Sequence, residues 1–218
     1  MEQTEIRSEV IRNALALNET GLSVGKSGNV SARSAKGFLI TPSGVAYESL
    51  AAKDIVEVGP RGVFQGDLLP SSEWQFHQAI YEGRPDVNAI VHAHPTYSTA
   101  LACQRREIPA FHYMVAVAGG KNIRCAQYAT FGTAALADSI LRALKDRKAC
   151  LMGNHGIIAV GESLAQAMAL AVEVENLAHQ YWCCLQSGEP VILSDSEMER
   201  VIEKFKTYGK QPDPLNKG

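Results

Sequence analysis

The segment VNAIVHAHP, residues 87–95, limits what this chain can fold into more than any other stretch. An apolar run ends at a proline, which cannot extend a sheet ladder, so the run reads as a β-strand that stops at Pro95. Side chains two apart on a strand share a face, so His92 and His94 aim their imidazoles at one point. Two neutral imidazoles converging in this way suit Zn2+. Two core histidines with backbone partners would show the same spacing, and the HxH pattern alone does not separate the two.

A catalytic zinc takes three protein ligands and keeps one position open. His155 is the natural third, in a Gly-Asn-His-Gly turn between two apolar strands. Asparagine before it and glycine after it suit a residue exposed at a sheet edge. His77 and His179 fall in expected helices and read as structural hydrogen-bonding groups. His112 follows Pro-Ala-Phe in an expected strand, and spacing leaves it open as an alternative.

A metal that polarises an oxygen still needs an acid/base partner. Glu73 is the candidate, in the first turn of an expected helix, beside Ser71 and Ser72 and next to Trp74. A carboxylate there also favours the helix dipole, and spacing does not decide between these roles. Three polar segments could receive an anion: Ser27-Gly28-Asn29, Thr41-Pro42-Ser43-Gly44 and Ser71-Ser72. Each alone is an ordinary turn or helix start. Beside a metal site, their amides and hydroxyls point to a phosphate.

The rest of the chain supplies a frame. Ile6, Val10, Ile11, Ala14, Leu15 and Leu17 recur at helical spacing, with Gly21 as the stop. A Gly-rich stretch, SVGKSGNVSAR, precedes an expected strand, GFLIT. Residues 54–65 read as a strand, a turn and the start of another strand. Ser72 with Gln75 forms a capping box that places a helix start near Ser72, running to Gly83. Further helices are expected over 96–103, over 133–147 with Thr133 as N-cap, from Ser163 to about Gln186, and from Ser194. ACLMGNHGIIAV reads as two strands around the His155 turn. Elements mix without regular βαβ alternation, which predicts an α/β or α+β sheet, largely antiparallel or mixed, with helices on its faces. No Pro/Gly/Ser-rich linker divides the chain, so one domain over residues 1–218 is expected, with 210–218 as a flexible tail.

Composition narrows the function classes. A net charge of −2 lacks the basic stripe of a general nucleic-acid binder. No apolar run approaches the roughly 20 residues that span a bilayer. The start, MEQTEIRSEV, is polar and acidic, unlike a secretory leader. Five irregularly spaced cysteines read as reduced thiols of a cytoplasmic protein. A cysteine nucleophile is the rarer reading, because buried structural thiols are the common case.

Eight motifs, in order, resemble the zinc-dependent class II aldolase and adducin family. They are SGNVSAR, LITPSGVAYE, LPSSEWQFHQAIY, VHAHPTYSTA, IPAFHYMVAVAGG, QYATFGT, GNHGIIAVG and EKFKTYG, and they span about residues 25–209. The resemblance implies an α/β fold with three αβα layers around a central, mainly antiparallel sheet. It implies a homotetramer with active sites between neighbouring subunits. It assigns His92, His94 and His155 to Zn2+, and makes Glu73 an acid/base that also touches the metal when substrate is absent. Gly28, Asn29, Ser43, Gly44, Ser71 and Ser72 would hold the substrate phosphate. Tyr113 and Tyr208 would reach into the site to handle the proton or the aldehyde. The implied reaction is reversible aldol cleavage of a ketose 1-phosphate, L-fuculose 1-phosphate or a close relative, to dihydroxyacetone phosphate and an aldehyde such as lactaldehyde. An aldolase for another deoxyketose phosphate would look the same at the phosphate end.

Departures and rivals bear on that reading. Lys26 stands where the family often has a small hydroxyl residue, Ser43 replaces a frequent threonine, and residues 210–218 match nothing. A pentulose-phosphate 4-epimerase on the same scaffold tends to carry Asp in place of Glu73 and Lys in place of Thr41. A non-catalytic adducin-like module would lose the histidines or the acidic residue, and all are present. A zinc hydrolase would not need three phosphate-shaped loops.

Overall fold

The computed structural model describes residues 3–207, so Tyr208 and the expected tail at 210–218 lie outside the described residues. In chain order the elements are α1 (Gln3–Glu19), β1 (Asn29–Ser34), β2 (Gly37–Ile40), β3 (Val56–Val58), β4 (Phe64–Gln65), α2 (Trp74–Gly83), β5 (Ala89–Ala93), α3 (Thr96–Cys103), β6 (Cys125–Ala126), α4 (Ala134–Ala143), β7 (Ala149–Met152), β8 (Gly156–Gly161), α5 (Leu164–Ser187) and α6 (Asp195–Phe205). Four short 3-10 turns link them, the longest over Tyr113–Ala118.

The strands form one sheet in the order β4-β3-β2-β1-β5-β8-β7-β6. Among the described residues only the short β6 pairs in parallel, with β7, and every other pair is antiparallel. Alternation along the strands sorts the core into two layers. Ala89, Val91 and Ala93 of β5 join Ile157 and Ala159 of β8 under α1, α3 and α5. Ile90, Ile158 and Val160 face the opposite way, into the layer of Phe76 and Ile80 from α2 and Leu136 and Ile140 from α4. The result is three αβα layers. Strands buried on both faces read as continuous apolar runs, as AIV and ACLM do.

Local signals hold where the helix start is free of other duties. Thr133 Oγ1 accepts the Leu136 N–H at 3.3 Å, and Ser163 Oγ accepts the Gln166 N–H at 3.3 Å. Gln166 Oε1 accepts from Glu162 N, not from Ser163 N, so that box closes one residue early. Ser194 caps α6 through the Glu197 N–H.

Three expectations fail. The Ser72–Gln75 box does not form: α2 starts at Trp74, with Glu73 as an N-cap whose side chain makes no capping bond. Within the Gly-rich stretch lies a full strand, β1. His112 is not on a strand but caps the Tyr113–Ala118 turn, its Nδ1 accepting the Met114 N–H. No described helix is long and apolar enough to cross a membrane.

Candidate active site

Parity along β5 places the site. Ile90 faces the α2–α4 layer, so His92, two residues on, faces it too, packing edge-on against Phe76 of α2 at 5.4 Å between ring centres. His94 follows just beyond the strand end. Antiparallel pairing of β5 with β8 brings the β7–β8 turn, carrying His155, to the same end of the sheet. These strands sit in the middle of the sheet, so His155 is at a hairpin turn and not, as expected, at a sheet edge. Gly156 makes the approach possible: a Cβ there would lie 2.3 Å from the Ala93 carbonyl oxygen and 2.7 Å from His94 Cδ2.

The side chains of Glu73, His92, His94 and His155 offer four ligand atoms, all within 4.8 Å of one another. His92 Nε2 stands 3.1 Å from Glu73 Oε2 and 2.9 Å from His94 Nε2, and Glu73 Oε1 stands 3.1 Å from His155 Nε2. His92 Nδ1 is 2.8 Å from the Ile157 carbonyl oxygen. A carbonyl only accepts, so Nδ1 carries a proton, and Nε2 faces Glu73 and His94, as a donor to the carboxylate when the ring is charged and as a lone pair for a metal when it is neutral.

Charge follows from this crowding. Burial pushes the Glu73 carboxyl up, but the His92 and His155 imidazoles outweigh it and hold the group well below the usual carboxylate range. Burial pushes His92 down, and Glu73 more than reverses it, so its net shift is upward. His94 is driven down to about 3 by burial and by its two histidine neighbours. Burial alone would lift Glu73 toward neutrality, and the imidazoles together reverse it.

These residues fit a divalent ion. Buried Glu73 Oε1 has no hydrogen-bond partner despite its closeness to His155. A single proton on His92 satisfies one of the converging acceptors, whereas one cation satisfies all of them. A tetrahedral zinc with bonds of about 2.0–2.1 Å spaces its ligands roughly 3.3 Å apart, close to the separations seen.

The three anion segments also meet here. Val30 N donates to Thr41 Oγ1, Ser71 N to the Thr41 carbonyl at 3.0 Å, and Ser43 N to the Leu69 carbonyl at 3.0 Å. Ser71 Oγ accepts the Glu73 N–H at 3.3 Å, tying this cradle to the acidic residue. Gly28 has φ +86°, and a Cβ there would stand 2.7 Å from the His92 carbonyl oxygen, so only glycine lets this loop pass over β5. Ser43, Gly44 and Ser72 are exposed, and Gly28 is half-buried. Asn29 differs. It is 2% exposed, and both ends of its amide are engaged, Nδ2 with Glu73 Oε2 at 3.0 Å and Oδ1 with His77 Nε2 at 2.5 Å.

Tyr113 is not drawn into the histidine cluster of its own chain. It is half-exposed, stacks on His112 and Phe205, and lines a cleft of about 420 Å3 with Arg200, Val201 and Lys204 of α6. Tyr208 lies outside the described residues. His179 stacks on Tyr97 at 3.8 Å, which agrees with a structural role. Sequence reading missed the partners of His77, which are Ser31 and Asn29. The signal for them was the four-residue repeat of Glu73, His77 and Tyr81.

The chain is similar to known proteins. The family described as Class II Aldolase and Adducin N-terminal domain matches residues 8–182. A 5-methylthioribulose-1-phosphate/5-deoxyribulose-1-phosphate aldolase of Rhodospirillum rubrum is 54% identical over 204 residues, covering 94% of this chain and 92% of the relative. An L-fuculose phosphate aldolase of Escherichia coli K12 is 48% identical over 210 residues, covering 96% and 98%. A solved structure of an L-fuculose 1-phosphate aldolase superposes with a TM-score of 0.90 at 44% identity, covering 93% of this chain and 96% of that one.

Proposed function

The chain belongs to the class II aldolase and adducin family, and on that premise we propose that it is a zinc-dependent aldehyde-lyase. It splits a ketose 1-phosphate reversibly into dihydroxyacetone phosphate and an aldehyde. The observation that carries this reading is the convergence of three imidazoles and the Glu73 carboxylate beside a three-segment polar cradle.

His92, His94 and His155 would hold the ion, which when bound polarises the substrate's carbonyl and hydroxyl oxygens. Gly28, Ser43, Gly44, Ser71 and Ser72 hold the phosphate through amides and hydroxyls with little formal charge. The Asn29 amide acts on Glu73, and any contact it makes with the phosphate comes from its backbone. In the condensation direction, Glu73 takes the proton from C3 of dihydroxyacetone phosphate. Its ionised state, favoured by the neighbouring imidazoles, is the state a base requires. C3 then joins the aldehyde carbon, and a tyrosine donates the proton that the new hydroxyl needs. Tyr113 is our candidate, with Tyr208 as its helper. Tyr113, half-exposed and away from its own histidine cluster, would then serve a neighbouring site in a homotetramer. Five free cysteines suit a reducing, cytoplasmic setting.

Two substrate types share the phosphate end. L-fuculose 1-phosphate yields lactaldehyde. 5-Deoxyribulose 1-phosphate yields acetaldehyde, and its 5-methylthio relative yields the methylthio aldehyde. The 54% identity to the Rhodospirillum rubrum enzyme supports the second pair. The test is to incubate the protein with each ketose 1-phosphate, with and without a chelator, and to measure dihydroxyacetone phosphate. Release from one of them, lost on chelation and regained with zinc, is the expected result. No carbon–carbon cleavage of any of the three would overturn the reading.

A further inference from the structure

Glu73, His77 and Tyr81 recur every four residues along α2 and its N-cap, while Asn29, Ser31 and Arg33 recur every two along β1. Those periods put each set on one face of its element. The two rows interleave. Tyr81 Oη is 2.8 Å from Ser31 Oγ, Ser31 Oγ is 2.7 Å from His77 Nδ1, His77 Nε2 is 2.5 Å from Asn29 Oδ1, and Asn29 Nδ2 is 3.0 Å from Glu73 Oε2. Arg33 closes the far end, its guanidinium 4.9 Å from the centre of the Tyr81 ring. His77 and Ser31 are fully buried, and no other member of the hydrogen-bonded row is more than 8% exposed.

The donors can run in one direction only. An ionised carboxylate accepts and cannot donate, so Asn29 must turn its NH2 group to Glu73. Its oxygen then faces His77 Nε2, which must carry the proton. His77 Nδ1 is therefore bare and accepts the Ser31 hydroxyl, whose oxygen receives the Tyr81 hydroxyl. Reversing the chain would set the Asn29 oxygen against the carboxylate.

We propose that His77 is a positioning residue for Glu73: by binding the Asn29 carbonyl it keeps the Asn29 NH2 on Glu73 Oε2 and so holds the carboxylate in one orientation against the three imidazoles. Without a donor at His77 Nε2, the buried Asn29 carbonyl loses its partner and the Glu73 carboxylate alone is left to orient the amide. The consequence for turnover rests on the reading of Glu73 as the proton carrier. The consequence for geometry does not.

The test uses the full chain. In the metal-free protein with 15N-labelled histidine, His77 shows the Nε2–H tautomer; the Nδ1–H tautomer would overturn the proposal. His77→Leu removes the donor, while His77→Gln keeps an amide N–H within reach of Asn29. For His77→Leu, kcat and zinc affinity, measured against a competing chelator, fall about 10–100-fold with KM nearly unchanged, the usual cost of losing a group that orients a ligand. His77→Gln recovers most of that loss. Wild-type values in His77→Leu, or equal impairment in His77→Gln, would reduce His77 to packing and sink the idea. If His77→Leu does not fold, the tautomer and the His77→Gln constants still decide. If the wild type cleaves no ketose phosphate, the functional reading fails, and the tautomer and the zinc affinities judge the positioning role on their own.

Discussion

The Glu175 carboxylate, on α5, accepts the backbone N–H of Tyr97 through Oε1 at 2.8 Å and that of Ser98 through Oε2 at the same distance. Helix α3 begins one residue after the His94–Pro95 pair, and Pro95 as N-cap has no side chain to cap it. A different helix therefore supplies the cap, and the segment that carries His94 is anchored from behind. Losing a capping side chain costs about 1–2 kcal/mol. Urea unfolding of Glu175→Ala should show a loss of that order. Glu175→Gln, with one acceptor oxygen in place of two, should fall between it and the wild type.

Metal removal should abolish cleavage and zinc should restore it. His155→Ala should weaken zinc binding by more than the roughly 10–100-fold typical of losing a mere hydrogen-bond partner of a ligand. Direct competition with a chelator measures this. Wild-type zinc affinity in His155→Ala would remove the β7–β8 turn from the site and reopen the case for His112.

Glu73→Gln should lower kcat by about 10²–10⁴-fold, the usual worth of a positioned acid/base. Zinc should stay bound through the three imidazoles, with an affinity lowered at least as far as in His77→Leu. Turnover at the wild-type rate would mean that the proton moves through another group.

Acid should destabilise the metal-free protein through its buried neutral imidazoles. Burial and His92 lower His77 from 6.5 to about 3, and burial with His92 and His155 lowers His94 likewise to about 3. Between these values the unfolded chain binds more protons than the folded one, so stability falls as pH drops from about 6.5 toward 3. Fully buried His77 alone should account for a few kcal/mol, as an order of magnitude. Thermal melts across that range should slope this way in the wild type, and less steeply in His77→Gln. An equal slope in both would show that His77 does not carry the effect.

Gly156→Ala should displace His94 and weaken zinc binding, since the added methyl meets the Ala93 carbonyl oxygen and the His94 ring. Backbone clashes of this kind typically cost 1–3 kcal/mol or so. Zinc affinity and the unfolding midpoint should fall together. Unchanged values for both would mean that the turn relaxes at little cost.

Local rules account for much of this protein. Strand period two, read through to Pro95, anticipates the convergence of His92 and His94, although β5 itself ends at Ala93. Thr133, Ser163 and Ser194 mark their helix starts by side-chain caps that depend only on neighbouring residues. The ordered motifs point to the layers and to the metal-ligating set. What stays hidden in the sequence depends on partners far away along the chain. β1 reads as a polar, Gly-flanked loop because its inward row, Asn29 and Ser31, is satisfied by α2 more than forty residues later. The start of α2 shifts from Ser72 to Trp74 because Glu73 turns its carboxylate to the histidines and Ser71 binds its N–H. Which histidine joins the HxH pair is settled by the β5–β8 register, a non-local pairing. Residue types and spacing determined which groups this chain can use, and tertiary pairing alone decided which of their polar atoms meet, because a buried donor or acceptor takes whatever partner the packing brings to it.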